Sequence, residues 1–199
     1  MKATRTKTKR PYDMRNRAQS VEATRERILR ATYDLVMEGT YEQLTLQKVA
    51  DLADTTFQTV LRHFGSKDEL IGAVAAWASP REFALRQARP GDVADVARVL
   101  CERYEATARA VLSWEALEER VDVIGRAMRD VRQGHRAWLA NVFAAELAAL
   151  PARGRADKLA LLYAATDINT WRLWRHHLGL TAPATRRAME RLLTAALEA

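Results

Sequence analysis

The sequence predicts an all-α protein with an N-terminal three-helix domain of the helix-turn-helix type and a C-terminal helical domain. Hydrophobic residues recur three and four positions apart, which is typical of amphipathic helices, and no segment alternates as strands do. Gly and Pro are scarce, with 8 and 5 among 199 residues, while residues that favour helices dominate. Two short helical segments separated by the break at residues 53–55 have the spacing of a helix-turn-helix.

Composition limits the classes of protein to which the chain can belong. Hydrophobic residues make up 48% and charged residues 29%, as in folded globular proteins. The single cysteine, Cys101, cannot form an intramolecular disulfide, which favours a reducing compartment. The sequence has neither an apolar run long enough to span a membrane nor a secretory signal. We therefore predict a cytoplasmic protein with no membrane contact.

Residues 1–20 contain seven basic side chains and one acidic one, so they account for +6 of the formal net charge of +7. They show no helical apolar period, and we predict a flexible basic arm that ends at residue 20. Such an arm attracts nucleic acid. The alternative is a tail that only improves solubility.

Signals for three helices follow the arm. A first helix is expected from Val21, and Gly39 stands where a C-terminal cap is expected. Thr45 can cap a short second helix, and Asp54 occupies a turn position that often needs a positive φ. A third short helix is expected to end near Phe64.

Longer helices are expected in the rest of the chain. Ser66 opens a fourth helix with a capping box, in which it and Glu69 satisfy each other's amides, and Pro80 closes that segment. Another helix starts at Asp92, with a possible break near Ser113. The remaining helices are expected over 119–149, 157–177 and 184–197.

The third helix has two chemically different faces. At about 100° per residue, the apolar side chains fall on one side; they are Phe57, Val60, Leu61 and Phe64. The polar side chains fall on the other side; they are Gln58, Thr59, Arg62 and His63. These polar groups can address base edges and phosphates in a major groove. The alternative is a solvated polar face on an ordinary core helix.

Neighbouring side chains extend this candidate surface. Thr55 or Thr56 would cap the third helix and could touch a phosphate, while Phe57 could contact a thymine methyl. Lys67 lies at the amino end of the fourth helix, where backbone amides favour a phosphate. The residues expected to contact DNA are Arg15, Arg17, Thr45, Lys48, Thr55, Thr56, Phe57, Gln58, Thr59, Arg62, His63 and Lys67. The acidic balance of residues 21–70, a net of −3, is a mild objection.

The segment from Thr24 to Leu70 resembles the DNA-binding domain of the tetracycline-repressor (TetR) family. The resemblance depends on a Thr-x3-Val-Ala motif at 45–50 and a Phe-Gly-Ser-Lys-Asp-Glu-Leu motif at 64–70, which occur together at the right spacing. Later in the chain, residues 165–175 look like the penultimate helix of some members. The rest of the chain is similar to the family in helical layout.

Four positions depart from the family pattern. The family usually has Gly at Asp54, an apolar residue at Thr55 and a polar or small residue at Phe57. It usually has Tyr at Leu61, where the hydroxyl often contacts a phosphate, and Leu cannot make that contact. Three of these departures, at Asp54, Thr55 and Leu61, favour the alternative function, a helical ligand-binding protein of the same fold that has lost specific DNA binding.

The resemblance implies a sequence-specific transcriptional regulator, a repressor that binds a palindromic operator in double-stranded DNA as a homodimer. It implies release by a small-molecule effector whose identity is unknown, and a nucleoid-associated location. Residues 21–66 would form the DNA-binding domain. Residues 67–199 would form the effector-binding and dimerisation domain.

The last two helices carry apolar residues on more than one side, so they can face their own core and a partner together. We predict a four-helix interface across a two-fold axis. Its predicted residues are Leu162, Thr166, Asn169, Leu173, Met189, Leu192, Leu193 and Ala196. The alternative is one monomeric bundle.

Aromatic residues with a few polar ones are candidates for a ligand pocket. They are Tyr104, Trp114, Met128, Trp138, Phe143, Tyr163, Asp167 and Trp171. The alternative is that these aromatics are plain core. Asp167 is expected in mid-helix between apolar neighbours, where a buried carboxylate needs a partner such as an arginine.

Motifs for catalysis are missing from the sequence. The four histidines have no metal-binding spacing, and there is no Cys pair, Gly-rich phosphate loop or Gly-x-Ser-x-Gly. We predict no catalytic residue, no metal and no cofactor, and a protein that is not an enzyme.

Overall fold

The computed structural model describes the backbone of residues 14–39 and 41–199, and the side chains of residues 18–39 and 41–199. Within these ranges the chain is helical and contains no strand, which confirms the predicted all-α fold class. Most of the predicted basic arm, residues 1–13, lies outside the described residues, as do the side chains of Arg15 and Arg17.

The first helix, α1 (Met14–Glu38), begins before the expected position. The prediction of an irregular arm up to residue 20 is therefore wrong for residues 14–20. This stretch contains Arg, Ala and Gln, which favour helices, and no Gly or Pro occurs between Pro11 and Gly39. Extending an existing helix adds one hydrogen bond for each residue that is fixed, so the helix continues toward the N-terminus.

Three helices pack with α1 into the N-terminal part: α2 (Leu46–Leu52), α3 (Phe57–Phe64) and α4 (Lys67–Ala84). Their shared core includes Ile28, Leu29, Leu44, Val49, Ala50, Val60, Phe64 and Leu70. Ala50 is fully buried. Its small side chain allows α2 and α3 to cross closely, as the sequence indicated.

The start of α4 is capped by Ser66, whose hydroxyl accepts a hydrogen bond from the Glu69 amide at 3.1 Å. The predicted reciprocal bond takes another form. The Ser66 hydroxyl lies 3.2 Å from the Glu69 carboxylate, while the Ser66 amide donates to the Phe64 carbonyl. The capping box is therefore half formed.

Pro80 lies inside α4, so the prediction that it closes the fourth helix is wrong. A proline removes one backbone donor and crowds the preceding turn. Here the Arg81 guanidinium donates to the Trp77 carbonyl at 2.7 Å, and the Tyr33 hydroxyl donates to the Glu82 carboxylate. These contacts stabilise the turn that follows the proline.

The helix α4 is shared by two hydrophobic cores. Leu70 and Val74 pack in the N-terminal core, whereas Ile71 packs with Trp114 and Ile124 of the C-terminal part. The predicted domain boundary after residue 66 thus lies just before a helix that contributes to both parts. A movement of α4 would therefore change the packing of both parts.

The C-terminal part contains α5 (Val93–Glu115), α6 (Asp122–Val142), α7 (Ala144–Ala148), α8 (Ala152–Thr166), α9 (Ile168–Arg172), a π-helical turn (Leu173–His177) and α10 (Ala182–Glu198). Asp92 caps α5 by accepting from the Asp95 amide at 2.9 Å. The core between α5, α6, α8 and α10 includes Leu100, Leu139, Leu162 and Met189. Among residues 14–39 and 41–199, every helix is too short or too polar to span a lipid bilayer.

Two predicted long helices are interrupted. The helix expected over 119–149 is two helices that meet at Phe143, and the helix expected over 157–177 breaks at Asp167. Asp167 has a φ of −65° and a ψ of 143°, and its carboxylate accepts from the Asn169 amide at 2.8 Å. An Asp side chain competes for backbone amides, which favours a cap over a helix interior. The prediction of a buried, mid-helix Asp167 paired with an arginine is therefore wrong.

Most residues predicted for the dimer interface lie in the chain's own core. The buried ones are Leu162, Thr166, Met189, Leu193 and Ala196, so the prediction is wrong for them. Asn169 instead donates to the Glu115 carboxylate at 3.1 Å. Leu173 and Leu192 remain 45% and 42% exposed. Periodicity cannot decide which of two apolar sides of a helix faces its own core.

Candidate nucleic-acid interface and effector cavity

The turn between α2 and α3 has the backbone of a helix-turn-helix. Asp54 has a φ of 49°, in the left-handed region that Asp tolerates better than most residues. The Thr55 amide donates to the Ala50 carbonyl at 3.0 Å and closes the turn. Asp54 therefore fills the family's glycine position with the positive φ that the turn needs.

Threonine hydroxyls cap both helices of this motif. Thr45 accepts a hydrogen bond from the Lys48 amide at 3.2 Å, and Thr56 accepts one from the Thr59 amide at 3.1 Å. The hydroxyls of Thr56 and Thr59 lie 2.9 Å apart. Each cap satisfies a backbone donor that the helix leaves free, so both helices begin at defined positions.

The helix α3 buries its apolar side and exposes its polar side. Val60 is fully buried and Phe64 is 8% exposed, whereas Gln58 and Arg62 are exposed. Among the residues predicted to contact DNA, the exposed ones are Thr45, Lys48, Thr56, Phe57, Gln58 and Arg62. The half-buried ones are Thr55, Thr59, His63 and Lys67. These residues lie on α2, on α3, in the turn between them and at the start of α4.

The surroundings of His63 favour the neutral form of its imidazole. Burial, followed by the charges of Arg62 and Arg25, lowers the pKa of His63. A neutral imidazole can donate and accept one hydrogen bond each, but it adds no charge against a phosphate. Arg25, whose guanidinium lies 5.5 Å from the Phe64 ring centroid, was not predicted because it lies on α1.

Lys67 is already engaged by the loop that precedes α2. Its ammonium donates to the Tyr41 carbonyl at 2.6 Å and lies 3.7 Å from the centroid of the Tyr41 ring. Burial lowers the pKa of Lys67. The side chain therefore fixes the loop onto α4, and two of its three N–H groups are left for other acceptors.

A cavity of about 190 Å³ lies between the N-terminal and C-terminal parts. Its walls come from α1, α4, α5 and α6 and are mostly apolar; they include Val36, Ile71, Val74, Phe83, Val111 and Val131. A smaller cavity of about 70 Å³ adjoins it, since Arg86, Thr107 and Met128 line both. This position places a bound molecule against the helix that the two parts share.

Five of the eight predicted pocket residues line these cavities. They are Tyr104, Trp114, Met128, Tyr163 and Asp167. The other three line neither cavity: Trp138, Phe143 and Trp171. Phe143 is fully buried and Trp171 is 2% exposed, so both are core. The indole of Trp138 instead donates to the Arg86 carbonyl at 2.9 Å.

Arg86 and His135 are cavity residues that the sequence did not single out. Arg86 Nη1 lies 2.9 Å from His135 Nδ1, and His135 Nε2 lies 3.0 Å from Thr166 Oγ1. Because a guanidinium only donates, Nδ1 accepts and Nε2 carries the hydrogen that is donated to Thr166. Burial, with the Arg86 charge as a second cause, lowers the pKa of His135 to about 3. Nothing in the sequence separates Arg86 from nearby Arg89.

Glu82 is a second polar group at the wall of the larger cavity. The Tyr33 hydroxyl and the Arg103 guanidinium both donate to its carboxylate. Burial and the hydrogen bond to Glu82 raise the pKa of Tyr33. The three residues link α1, α4 and α5 beside the cavity. Sequence reasoning missed them because the partners are 49 and 21 positions from Glu82.

Known proteins share both this N-terminal part and the whole fold. Residues 28–74 match the profile of the bacterial regulatory proteins of the tetR family. A transcriptional regulator from Rhodococcus sp. Rha1 superposes with a TM-score of 0.66 at 19% identity, over 87% of this chain and 95% of that one. A TetR-family member from Streptomyces coelicolor gives 0.61 at 21% identity, over 85% and 97%.

A third similar structure is that of a protein named flavonoid-responsive regulator FrrA, with a TM-score of 0.55 and 18% identity, over 89% of this chain and 96% of that one. No curated protein sequence matches the chain. The profile match and the shared fold confirm the resemblance: residues 28–74 match the tetR family of bacterial regulatory proteins, and the chain has the fold of TetR-family transcriptional regulators.

Proposed function

We propose that the protein is a transcriptional repressor that binds a palindromic operator as a homodimer and leaves it when a small molecule fills the cavity beside α4. It would act at the nucleoid in the cytoplasm and would not be an enzyme. The observation that carries this proposal is the exposed polar side of α3. A helix-turn-helix holds that side opposite a fully buried Val60.

Each exposed group of this surface suits a different part of DNA. Gln58 and Arg62 can read base edges in the major groove, and Phe57, 38% exposed, can contact a thymine methyl. The other groups would position the helix on phosphates and sugars. They are Thr45, Lys48, Thr55, Thr56, Thr59, His63 and Lys67, with Arg15 and Arg17 of the N-terminal segment.

The dimer interface would use apolar side chains that the core leaves outside. Leu161 on α8, Leu173 in the π-helical turn and Leu192 on α10 are 47%, 45% and 42% exposed. Single exposed leucines are common on proteins. Here they lie on the two helices that the sequence predicts to form a four-helix interface, and α8 packs against α10. Two copies would cover these leucines about a two-fold axis.

Effector release would proceed through α4. This helix lines the cavity with Val74 and Phe83, and its N-terminal end contacts α3. A molecule that fits the cavity better in one position of α4 would shift the population toward that position. The distance between the two α3 helices of a dimer would then no longer match successive major grooves. The name of the similar flavonoid-responsive regulator is compatible with such a response.

A second candidate function keeps the cavity and gives up sequence-specific DNA binding. Leu61 favours it, because a leucine cannot replace the phosphate contact that the family's tyrosine often makes. The engagement of Lys67 by Tyr41 also removes one donor from the proposed phosphate site.

Selection of random duplex DNA by the full-length protein distinguishes the two functions. A repressor of the proposed kind enriches one palindromic sequence and binds it as a dimer. That duplex is then titrated at several salt concentrations. The logarithm of its affinity should fall linearly with the logarithm of the salt concentration, with a slope of about −0.9 for each neutralised phosphate. If no sequence is enriched and binding is weak and salt-sensitive, the protein only attracts DNA by charge, and the second function is the better one.

A further inference from the structure

Arg86 places a cation at the wall of both cavities, and no described carboxylate lies within ion-pair distance of it. Its Nη1 contacts His135, its Nε is buried with no hydrogen-bond partner among the described residues, and its guanidinium lies 4.6 Å from the Phe83 ring centroid. No Asp or Glu in the described part of the chain forms an ion pair with it. Withdrawing a charge from water is costly unless an opposite charge or several hydrogen bonds replace the water.

Two acidic groups near Arg86 are engaged by other residues. Glu82 accepts hydrogen bonds from Tyr33 and Arg103, one on each carboxylate oxygen. Glu115, at the smaller cavity, accepts from Asn169 and pairs with Arg132. The protein therefore supplies carboxylates to other cations in this region while Arg86 remains without one.

The neighbour of Arg86 is neutral. The His135 ring is 5% exposed and accepts from Arg86 through Nδ1, while its Nε2 donates to Thr166. The Trp138 indole donates to the Arg86 carbonyl from the same helix as His135. These contacts hold the Arg86 backbone and one end of its guanidinium in place, and they leave its positive charge available to a ligand.

A second buried donor belongs to a residue in the wall of the larger cavity. Trp114 is 4% exposed, and its indole Nε1 has no hydrogen-bond partner among the described residues. An indole nitrogen can only donate. The cavity wall is thus mostly apolar, and two of its residues, Arg86 and Trp114, carry buried donors that have no acceptor among the described residues. The half-buried guanidinium of Arg86 suits a ligand that brings an acceptor, preferably one with negative charge.

We propose that the effector is an apolar small molecule with one carboxylate, and that Arg86 binds this carboxylate while the apolar body fills the larger cavity. The effector is part of the proposed repressor function, so this inference rests on that function. A planar guanidinium can bind a carboxylate with two parallel hydrogen bonds, which an amide or an alcohol cannot match. The ligand charge would replace the missing ion-pair partner of Arg86.

The test compares matched acids and amides on the full-length protein. The probes are decanoate, phenylbutyrate and naphthoate, each beside its primary amide, and affinity is measured by calorimetry without DNA. We expect at least one carboxylate to bind about tenfold or more tightly than its amide, since hydrogen bonds to charged groups exceed neutral ones. Equal affinity for acid and amide, or no binding of any carboxylate, would overturn the inference.

Arg86→Gln locates the effect, because Gln keeps a polar side chain with an N–H donor at this position and removes the charge. We expect the preference for the acid to disappear in this variant and to persist in Arg136→Gln, which removes an equal charge from an exposed position on α6. A preference that survives Arg86→Gln contradicts the inference. If this variant does not fold, judged by circular dichroism, the comparison of acid and amide on the unmodified protein still decides.

The result of the ligand test and the result of the operator selection can be interpreted separately. Enrichment of an operator without any acid preference leaves the repressor standing and removes the carboxylate effector. Acid preference without an enriched operator assigns the ligand class to a helical binding protein, and the repressor fails. A bound carboxylate that releases the operator supports both.

Discussion

Lowering the pH should destabilise the protein through His135, and the size of the effect follows from its burial. The ordinary pKa of histidine is 6.5, and in the folded chain burial lowers that of His135 to about 3. Between these values the unfolded chain takes up a proton that the folded chain does not. Stability is therefore complete above the unfolded pKa and is lost as the pH falls, by about 1.4 kcal/mol per pH unit.

From about pH 7.5 to about pH 5 this amounts to about 2 kcal/mol for His135 alone. The measurement is the free energy of unfolding in urea, followed by tryptophan fluorescence, for the unmodified protein and for His135→Gln. Gln stays neutral at both pH values and can still accept from Arg86 and donate to Thr166. Other titrating groups, including His63, contribute equally to both proteins and cancel in the comparison.

We expect the unmodified protein to lose about 2 kcal/mol more than His135→Gln over this range. Arg136→Gln is the control on the same helix and should behave as the unmodified protein. Equal losses in all three proteins would mean that His135 takes up a proton in the folded state. The assignment of Nδ1 as an acceptor from Arg86 would then be wrong.

Four further predictions concern DNA, the arm, the dimer and the turn. Arg62→Ala should weaken binding to a selected operator by about 1–3 kcal/mol in an anisotropy titration, and an equal loss on shuffled DNA would argue against base reading. Deleting residues 2–13, which leaves α1 intact, should make DNA affinity depend less steeply on salt concentration, because fewer phosphates are neutralised. An unchanged dependence would mean that the arm is a solubilising tail. Leu192→Arg should shift light scattering from dimer to monomer, and a persistent dimer would place the interface elsewhere. Asp54→Val should lower the free energy of unfolding in urea by about 1–2 kcal/mol, because a β-branched residue is strained at positive φ, while Asp54→Gly should fold normally. If Asp54→Val were as stable as the unmodified protein, the positive φ of the turn would not matter for stability.

Local signals were sufficient to predict the helix-turn-helix and the residues that cap its helices. Thr45 and Ser66 cap helices because a hydroxyl beside a free amide acts within three residues, and the positive φ at Asp54 follows from a turn of fixed length. The two faces of α3 follow from helical periodicity alone. These features depend on neighbours in sequence, so the sequence contains them.

The cavity could be predicted only in part, because its polar groups depend on contacts between distant segments. Arg86 lies 49 positions from His135, and its missing carboxylate partner becomes visible only when the surrounding side chains are placed. Asp167 could have been recognised as a cap from its side-chain chemistry, but its apolar neighbours favoured a continuous helix. The helical period alone makes both Leu162 and Leu192 candidates for an interface. In the folded chain Leu162 is packed in the core, whereas Leu192 stays exposed.

The most direct test of the proposed regulator is an anisotropy titration of the full-length protein with its selected operator and with a shuffled duplex of equal length and composition. If α3 reads base edges, the operator should bind as one dimer and about a thousandfold or more tightly than the shuffled duplex at physiological salt. Equal affinities that fall together with rising salt would show that only charge attracts the DNA, and the claim of sequence-specific regulation would be contradicted.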